Sequence, residues 1–244
     1  MLLLRFILIA FLASAFVFGG EPQSPKHLDD AGKLLQSLKP ANSKYGREKL
    51  EVKWQGESGA TESVCYADCS FFLDALLAHS YPKLNAEALN RWFGVKKRPL
   101  ARHYHETISA QKGFARIDKI GEVQAGDIIA IRYLVPNKGK DTGHTMLVIG
   151  RPKTRAASAP IIKETVQWEV PIMDMTTTGH GKGDSRLKDD GTYFGGLGTG
   201  SLRIYATEAG TFAGYSWSFA GNSEYHETKD RPIAIGRLDP KFQP

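Results

Sequence analysis

The chain has 244 residues, with 32 Lys and Arg against 26 Asp and Glu, a net charge of +6, and two cysteines. That length suffices for one domain with its own core, and two cysteines are too few for a disulfide-built scaffold or a four-cysteine zinc site. The basic residues are scattered, with only Lys96, Lys97 and Arg98 clustered, which points to an ordinary solvated surface and not to a nucleic-acid site.

Residues 1–20 carry one charge, Arg5, then an apolar run from Phe6 to Phe18 and small residues. This is the layout of a cleavable signal peptide. The run is shorter than the roughly 20 residues that span a membrane, and no later stretch is apolar for as long. Export to the periplasm or the extracellular space, without stable membrane insertion, is therefore expected. With Arg5 removed, 31 basic residues face 26 acidic ones.

Residues 21–48 read as a linker and one amphipathic helix from about His27 to Leu38, stopped by Pro40. Residues 49–244 are expected to form the functional domain. A helix starts close to Cys69, where Phe72, Leu73, Leu76 and Leu77 recur on one face. Shorter helices fit NAEALNRWF (85–93) and ARHYHETIS (101–109). From Gly126 the pattern changes to strands: GDIIAIRYLV, GHTMLVIG, TVQWEVPIMDM, LRIYAT, FAGYSWSF and PIAIGRL are short apolar or alternating runs bounded by turn residues. A helical half followed by strands implies an α+β domain with an antiparallel sheet. The glycine-rich segment 179–200 reads as a long flexible loop, a feature usually tied to a site.

Both cysteines lie in SVCYADCSFFLDALLAHS (63–80). Were both on one regular helix, the i, i+4 spacing would bring their Cα atoms within disulfide range. Alternatively Cys69 is a nucleophile. Asp68 precedes it and a helix-forming run follows, which puts the thiol at a helix amino terminus, where unsatisfied amides favour a thiolate and an oxyanion. The base it needs is His144, at the head of the strand HTMLVI, with Asp174 at the end of the next strand to fix the imidazole tautomer. Cys65 then reads as a small buried hydrophobe, a reversible oxidative cap on Cys69, or part of the substrate wall. Metal binding is not expected, because His103 and His105 sit two apart and no second cysteine pair completes a ligand set.

Asp68-Cys69-Ser70 at a helix start, Gly126-Asp127-Ile128-Ile129 opening a strand and Gly143-His144-Thr145-Met146-Leu147-Val148-Ile149-Gly150 together resemble the NlpC/P60 peptidases. These are papain-like cysteine amidases close to the CHAP amidases, and the likeness covers about residues 60–175. It implies a papain-like fold in which the nucleophile-bearing helix packs on an antiparallel sheet of five or six strands. It further implies that Cys69 attacks an amide carbonyl, with His144 as base and then acid and Asp174 as orienter, and that no cofactor takes part. In family members that cut bacterial cell-wall stem peptides, the residues matching Asp68 and Ser70 hold the substrate's amino group. Tyr66 from the same segment and His180 from the glycine-rich loop are further substrate-binding candidates. The Tyr-x-Trp-Gly-Gly segment frequent in that family is matched only by KWQGESG, Lys53 to Gly59. A monomer acting on peptidoglycan stem peptide, or on another peptide amide, is expected. The competing readings are a transglutaminase-like thiol protease, suggested by the Asp174-Met175-Thr176 ending, and a non-catalytic wall-binding relative with a Cys65–Cys69 disulfide.

Overall fold

The computed structural model describes residues 24–135, 141–239 and 241–242. The expected signal peptide, residues 1–20, lies outside the described residues.

The described residues form a mixed α+β structure with four α-helices: α1 (Lys26–Ser37), α2 (Cys69–Ser80), α3 (Ala86–Phe93) and α4 (Ala101–Ser109). The side chain of Asp68 caps α2 by accepting the Phe71 N–H at 2.9 Å. Asn85 does the same for α3 at Ala88, and that helix ends at Gly94, whose φ of +66° is the left-handed conformation glycine adopts most readily. Helix α2 is apolar around most of its circumference, with Phe72, Leu73, Leu76 and Leu77 all buried, as suits a helix enclosed by other elements.

The strands in chain order are β1 (Ser43–Tyr45), β2 (Glu51–Lys53), β3 (Val64–Ala67), β4 (Phe114–Ile117), β5 (Ile128–Arg132), β6 (Gly143–Val148), β7 (Lys153–Thr154), β8 (Val166–Thr176), β9 (Gly196–Ala206), β10 (Phe212–Ser216), β11 (Tyr225–Glu227) and β12 (Ile233–Leu238). Strands β1, β3 and β2 make a small sheet, with β1 parallel to β3. The large sheet runs β11-β10-β9-β8-β6-β5-β12-β4, with β7 paired to β8, and all of its pairings are antiparallel.

The expectation of five or six strands is corrected: the large sheet has nine. The added strands come mostly from beyond residue 175, outside the stretch that carries the family resemblance. Strands β9, β10 and β11 extend the sheet past β8, and β12 returns between β5 and β4.

Both faces of the sheet are covered. Ile128, Ala130, Leu147, Met173 and Met175 pack with the helices, while Ile129, Ile131, Met146, Val148, Val170 and Ile172 join a second core with Leu202, Ile204 and Ile235. Burial of alternate residues on opposite faces explains why β5 reads as an unbroken apolar run. The segment expected as linker and helix is part of the same core: Ala31 and Leu34 of α1 are fully buried, and β1 pairs with β3. Strand β9 begins at Gly196, inside the segment expected to be a loop, and pairs with β8 along its whole length, from Thr176↔Gly196 to Val166↔Ala206.

Candidate functional site

Cys69 is the first residue of α2 and is almost fully buried. Its position follows from the Asp68 cap, which holds the preceding residue extended and starts the helix at the cysteine. The amides at the start of a helix have no partner within it, so those of Cys69 and Ser70 belong to the electropositive helix end that carries the thiol.

His144 is the second residue of β6. The residue before it must be glycine: at Gly143, φ is +147° and a Cβ would fall 1.8 Å from the Ile131 carbonyl oxygen. Continuing the β6–β8 register of Leu147↔Met173 puts Asp174 beside Met146, a diagonal neighbour of His144 on the same face. The imidazole Nε2 donates to Asp174 Oδ2 at 2.7 Å, and the ring also forms a hydrogen bond with Cys69. The structure thus brings Cys69, His144 and Asp174 together. The segment RPKTRAASAPIIKE between β6 and β8 contributes β7, which pairs back onto β8, so it lengthens the connection without separating the two residues.

Burial alone would lower the His144 pKa; attraction to Cys69 and hydrogen bonds from Asp174 and Cys69 reverse this and push it up to about 10. Burial likewise opposes ionisation of Asp174, yet the charge of His180 and the hydrogen bonds from His144 and His180 hold it well below the usual carboxylate range. Trp217 closes one side, its indole edge-on to the His144 ring at 4.9 Å.

Behind Asp174 lies a buried polar cluster. His180 reaches Asp174 Oδ2 with Nε2 at 3.1 Å. Arg186, fully buried, contacts Asp174 Oδ1 at 2.9 Å and binds Asp184 through two nitrogens at 2.9 and 2.8 Å. His180 was expected to contact substrate; the structure instead places it behind Asp174, with its side chain fully enclosed.

In front of the thiol is a cleft of about 250 Å³ bordered by Arg47, Asp68, Cys69, Ser70, Arg98 and Gly143. Asp68 and Ser70 reach it, but their polar atoms are engaged. Asp68 Oδ1 accepts from the Phe71 amide and from the Ser70 hydroxyl at 3.2 Å, while Oδ2 faces Arg98 and, at 3.4 Å, Arg47. Arg98 Nη1 also donates to Ser70 Oγ at 2.9 Å. Tyr66 is not at the thiol: it is half-buried on β3 beneath Lys49 and lines an adjoining groove of about 580 Å³ that shares Arg47 with the cleft.

Several residues of the site escaped sequence reasoning. Arg98 was counted within a solvated basic cluster, and Arg186 within a glycine-rich loop. Tyr45 lies near Cys69: burial, then the charges of Cys69 and Asp68, raise its phenol pKa. KWQGESG is not part of the cleft, since Trp54 stacks on His79 at 3.8 Å and donates to the Asp30 carbonyl. A Cys65–Cys69 bridge is absent. Cys65 lies on β3, not on the helix, and its sulfur points into the core 3.5 Å from Met175 Sδ. Burial pushes its thiol up to about 12. Among the described residues, no group of three or more His, Cys, Asp and Glu is placed to hold a metal ion.

An uncharacterized protein of Acanthamoeba polyphaga mimivirus is 35% identical to this chain in an alignment of 225 residues that covers 88% of this chain and 97% of the viral one. The chain belongs to the same family as that viral protein. Coverage of this extent spans Cys69 through Arg186 and shows a shared domain rather than a shared motif. No family model and no solved structure matches the chain.

Proposed function

We propose that the protein is a cysteine amidase or peptidase that works through an acyl-enzyme on Cys69. The single observation that carries this reading is the line Cys69, His144, Asp174, in which a thiol at a helix amino terminus meets an imidazole whose far nitrogen is held by a buried carboxylate. A free structural cysteine needs none of these partners.

In the proposed reaction the Cys69 thiolate adds to the amide carbon, and the oxygen's developing charge faces the amides at the start of α2. The C–N bond then breaks as His144 passes its proton to the leaving amine, giving a thioester. His144, now neutral, takes a proton from water, the resulting hydroxide displaces the thiol, and a carboxylic acid leaves. Asp174 keeps its charge throughout and holds the imidazole tautomer. By resemblance to the NlpC/P60 peptidases, including a papain-like fold, the substrate is a cell-wall stem peptide met after export.

The test joins labelling to turnover. A dilute iodoacetamide pulse at neutral pH, read by mass spectrometry, should modify Cys69 far faster than Cys65, and His144→Ala should slow it by at least tenfold. Peptidoglycan fragments should be cut by the protein and not by Cys69→Ala. Slow labelling that ignores His144 would remove the reading.

A further inference from the structure

The residues behind Asp174 outnumber what a single orienting carboxylate requires. His180 bonds at both ring nitrogens and at its own backbone amide. Nδ1 lies 2.7 Å from the Trp217 carbonyl oxygen, Nε2 lies 3.1 Å from Asp174 Oδ2, and the backbone N–H donates to Asp184 Oδ2 at 2.7 Å. The ring stacks on the Trp217 indole at 4.4 Å and 23°.

Each ring partner only accepts. A carbonyl oxygen has no proton to give, and neither has an ionised carboxylate. A neutral imidazole carries one N–H and leaves one of the two contacts as an acceptor facing an acceptor. Both contacts are made only by the imidazolium. The surroundings balance that charge: Asp174 on β8 and Asp184 are negative, Arg186 and His180 positive, and all four lie within one bonded network. A buried set of two cations and two anions escapes the penalty of an unpaired internal charge.

The backbone is shaped to admit this set. Asp174 pairs across strands with Gly198, where a Cβ would come within 2.7 Å of the Arg186 side chain. At Gly200 a Cβ would meet His180 Cβ at 2.7 Å and Asp184 Oδ2 at 2.9 Å. Two glycines in the middle of a strand weaken it; here they leave room for the cluster.

We infer that His180 is a positioning residue for the reaction, an imidazolium that, together with Arg186, fixes the orientation and charge of Asp174 so that the working line is Cys69, His144, Asp174, His180. The inference rests on the thiol-hydrolase reading for its kinetic consequence and on hydrogen-bond geometry alone for its protonation state. His144 and His180 share one oxygen, Asp174 Oδ2, so loss of either partner frees the carboxylate to turn. Because His180 is walled off from the cleft, it acts on turnover and not on substrate capture.

Two measurements test it. The first is the kinetics of His180→Gln and His180→Ala on peptidoglycan fragments. The expectation is a fall in kcat of about 10- to 100-fold, the range seen when an outer partner of a functional histidine is lost, with KM within about twofold of the parent; an increase in KM at unchanged kcat would overturn the inference. The second needs no variant of His180 to fold or turn over. The imidazole ¹⁵N spectrum of the Cys69→Ala protein should contain, assigned to His180 and distinct from His144, a ring with both nitrogens protonated. Its absence would overturn the inference while leaving the amidase reading to its own test, namely labelling of Cys69.

Discussion

Tyr104 on α4 donates its hydroxyl proton to Asp74 Oδ1 on α2 at 2.7 Å, and Asp74 Oδ2 has no hydrogen-bond partner among the described residues. Burial pushes the Asp74 carboxyl up to about 8, against the pull of the Tyr104 hydrogen bond and of Arg98. Folded protein therefore keeps a proton that the unfolded chain gives up near pH 4. Between these values the native state binds more protons, so stability falls as pH rises, by about 1.4 kcal/mol per unit for this group. Asp74→Asn keeps an acceptor for Tyr104 and removes the titration. The variant should match the parent near pH 4 and be several kcal/mol more stable by pH 8, read from urea unfolding across that range. Parallel curves would mean that Asp74 ionises normally.

The packing of Arg186 over Gly198 gives a second prediction. A methyl group there would press on Arg186 Cγ and Nε, both 2.7 Å away, and Arg186 is locked by bonds to Asp184 and to the carbonyls of Asp174 and Gly196. It has no free end to swing aside. Gly198→Ala should lose about 1 to 3 kcal/mol of stability, the usual penalty for overpacking, and should lose turnover through displacement of Asp174. Thermal melts and kcat measured on the same preparation check both parts, and an unaffected protein would show that the cluster yields easily.

Cys65 supplies a third. With its sulfur in the core against Met175 and its thiol pushed up by burial, it is neither a nucleophile nor within the cleft. Cys65→Ala should cost about 1 to 2 kcal/mol, a small-cavity effect, and leave turnover unchanged. Activity of this variant should also depend on reductant as the parent's does, because the Cys65 sulfur is engaged with Met175 in the core. A variant that gains resistance to peroxide would restore the cap.

How far the sequence could be read depended on whether each feature is local. The start of α2 at Cys69 was legible because Asp68 and the apolar run after it sit within one helical turn of each other, and β5 and the end of β6 were legible because burial on both faces makes them continuously apolar. Strands β1, β2 and β3 are three or four residues long, too short for any period to show. The first residues of β9 read as loop because glycine is depleted in strands; Gly198 and Gly200 answer to Arg186 and His180, and Gly196 to Ser43, packing that is a tertiary fact. Tyr66 and His180 illustrate the same limit in the site. Closeness in sequence to Cys69 did not bring Tyr66 to the cleft, and an exposed-looking His between two glycines is enclosed because Trp217, 37 residues onward, covers it.

Asp68 carries the last prediction. The NlpC/P60 resemblance implies that Asp68 and Ser70 hold a substrate amino group, yet each Asp68 oxygen already faces two donors, and Ser70 Oγ both donates to Asp68 and accepts from Arg98. Recognition of an ammonium there would require displacing a guanidinium from a buried carboxylate. A hydrogen bond to a charged group contributes about 1.5 to 3 kcal/mol, so a site that read the amine would lose on the order of 10- to 100-fold in kcat/KM when that amine is acetylated. For this protein, stem peptides with a free and an acetylated amino terminus should be cut with kcat/KM within about threefold of each other, well short of that loss. Arg98→Ala, which frees Ser70 Oγ and leaves Asp68 Oδ2 only the longer Arg47 contact, should create a preference for the free amine. Strong preference in the parent protein would instead mean that Arg98 gives way to substrate on binding.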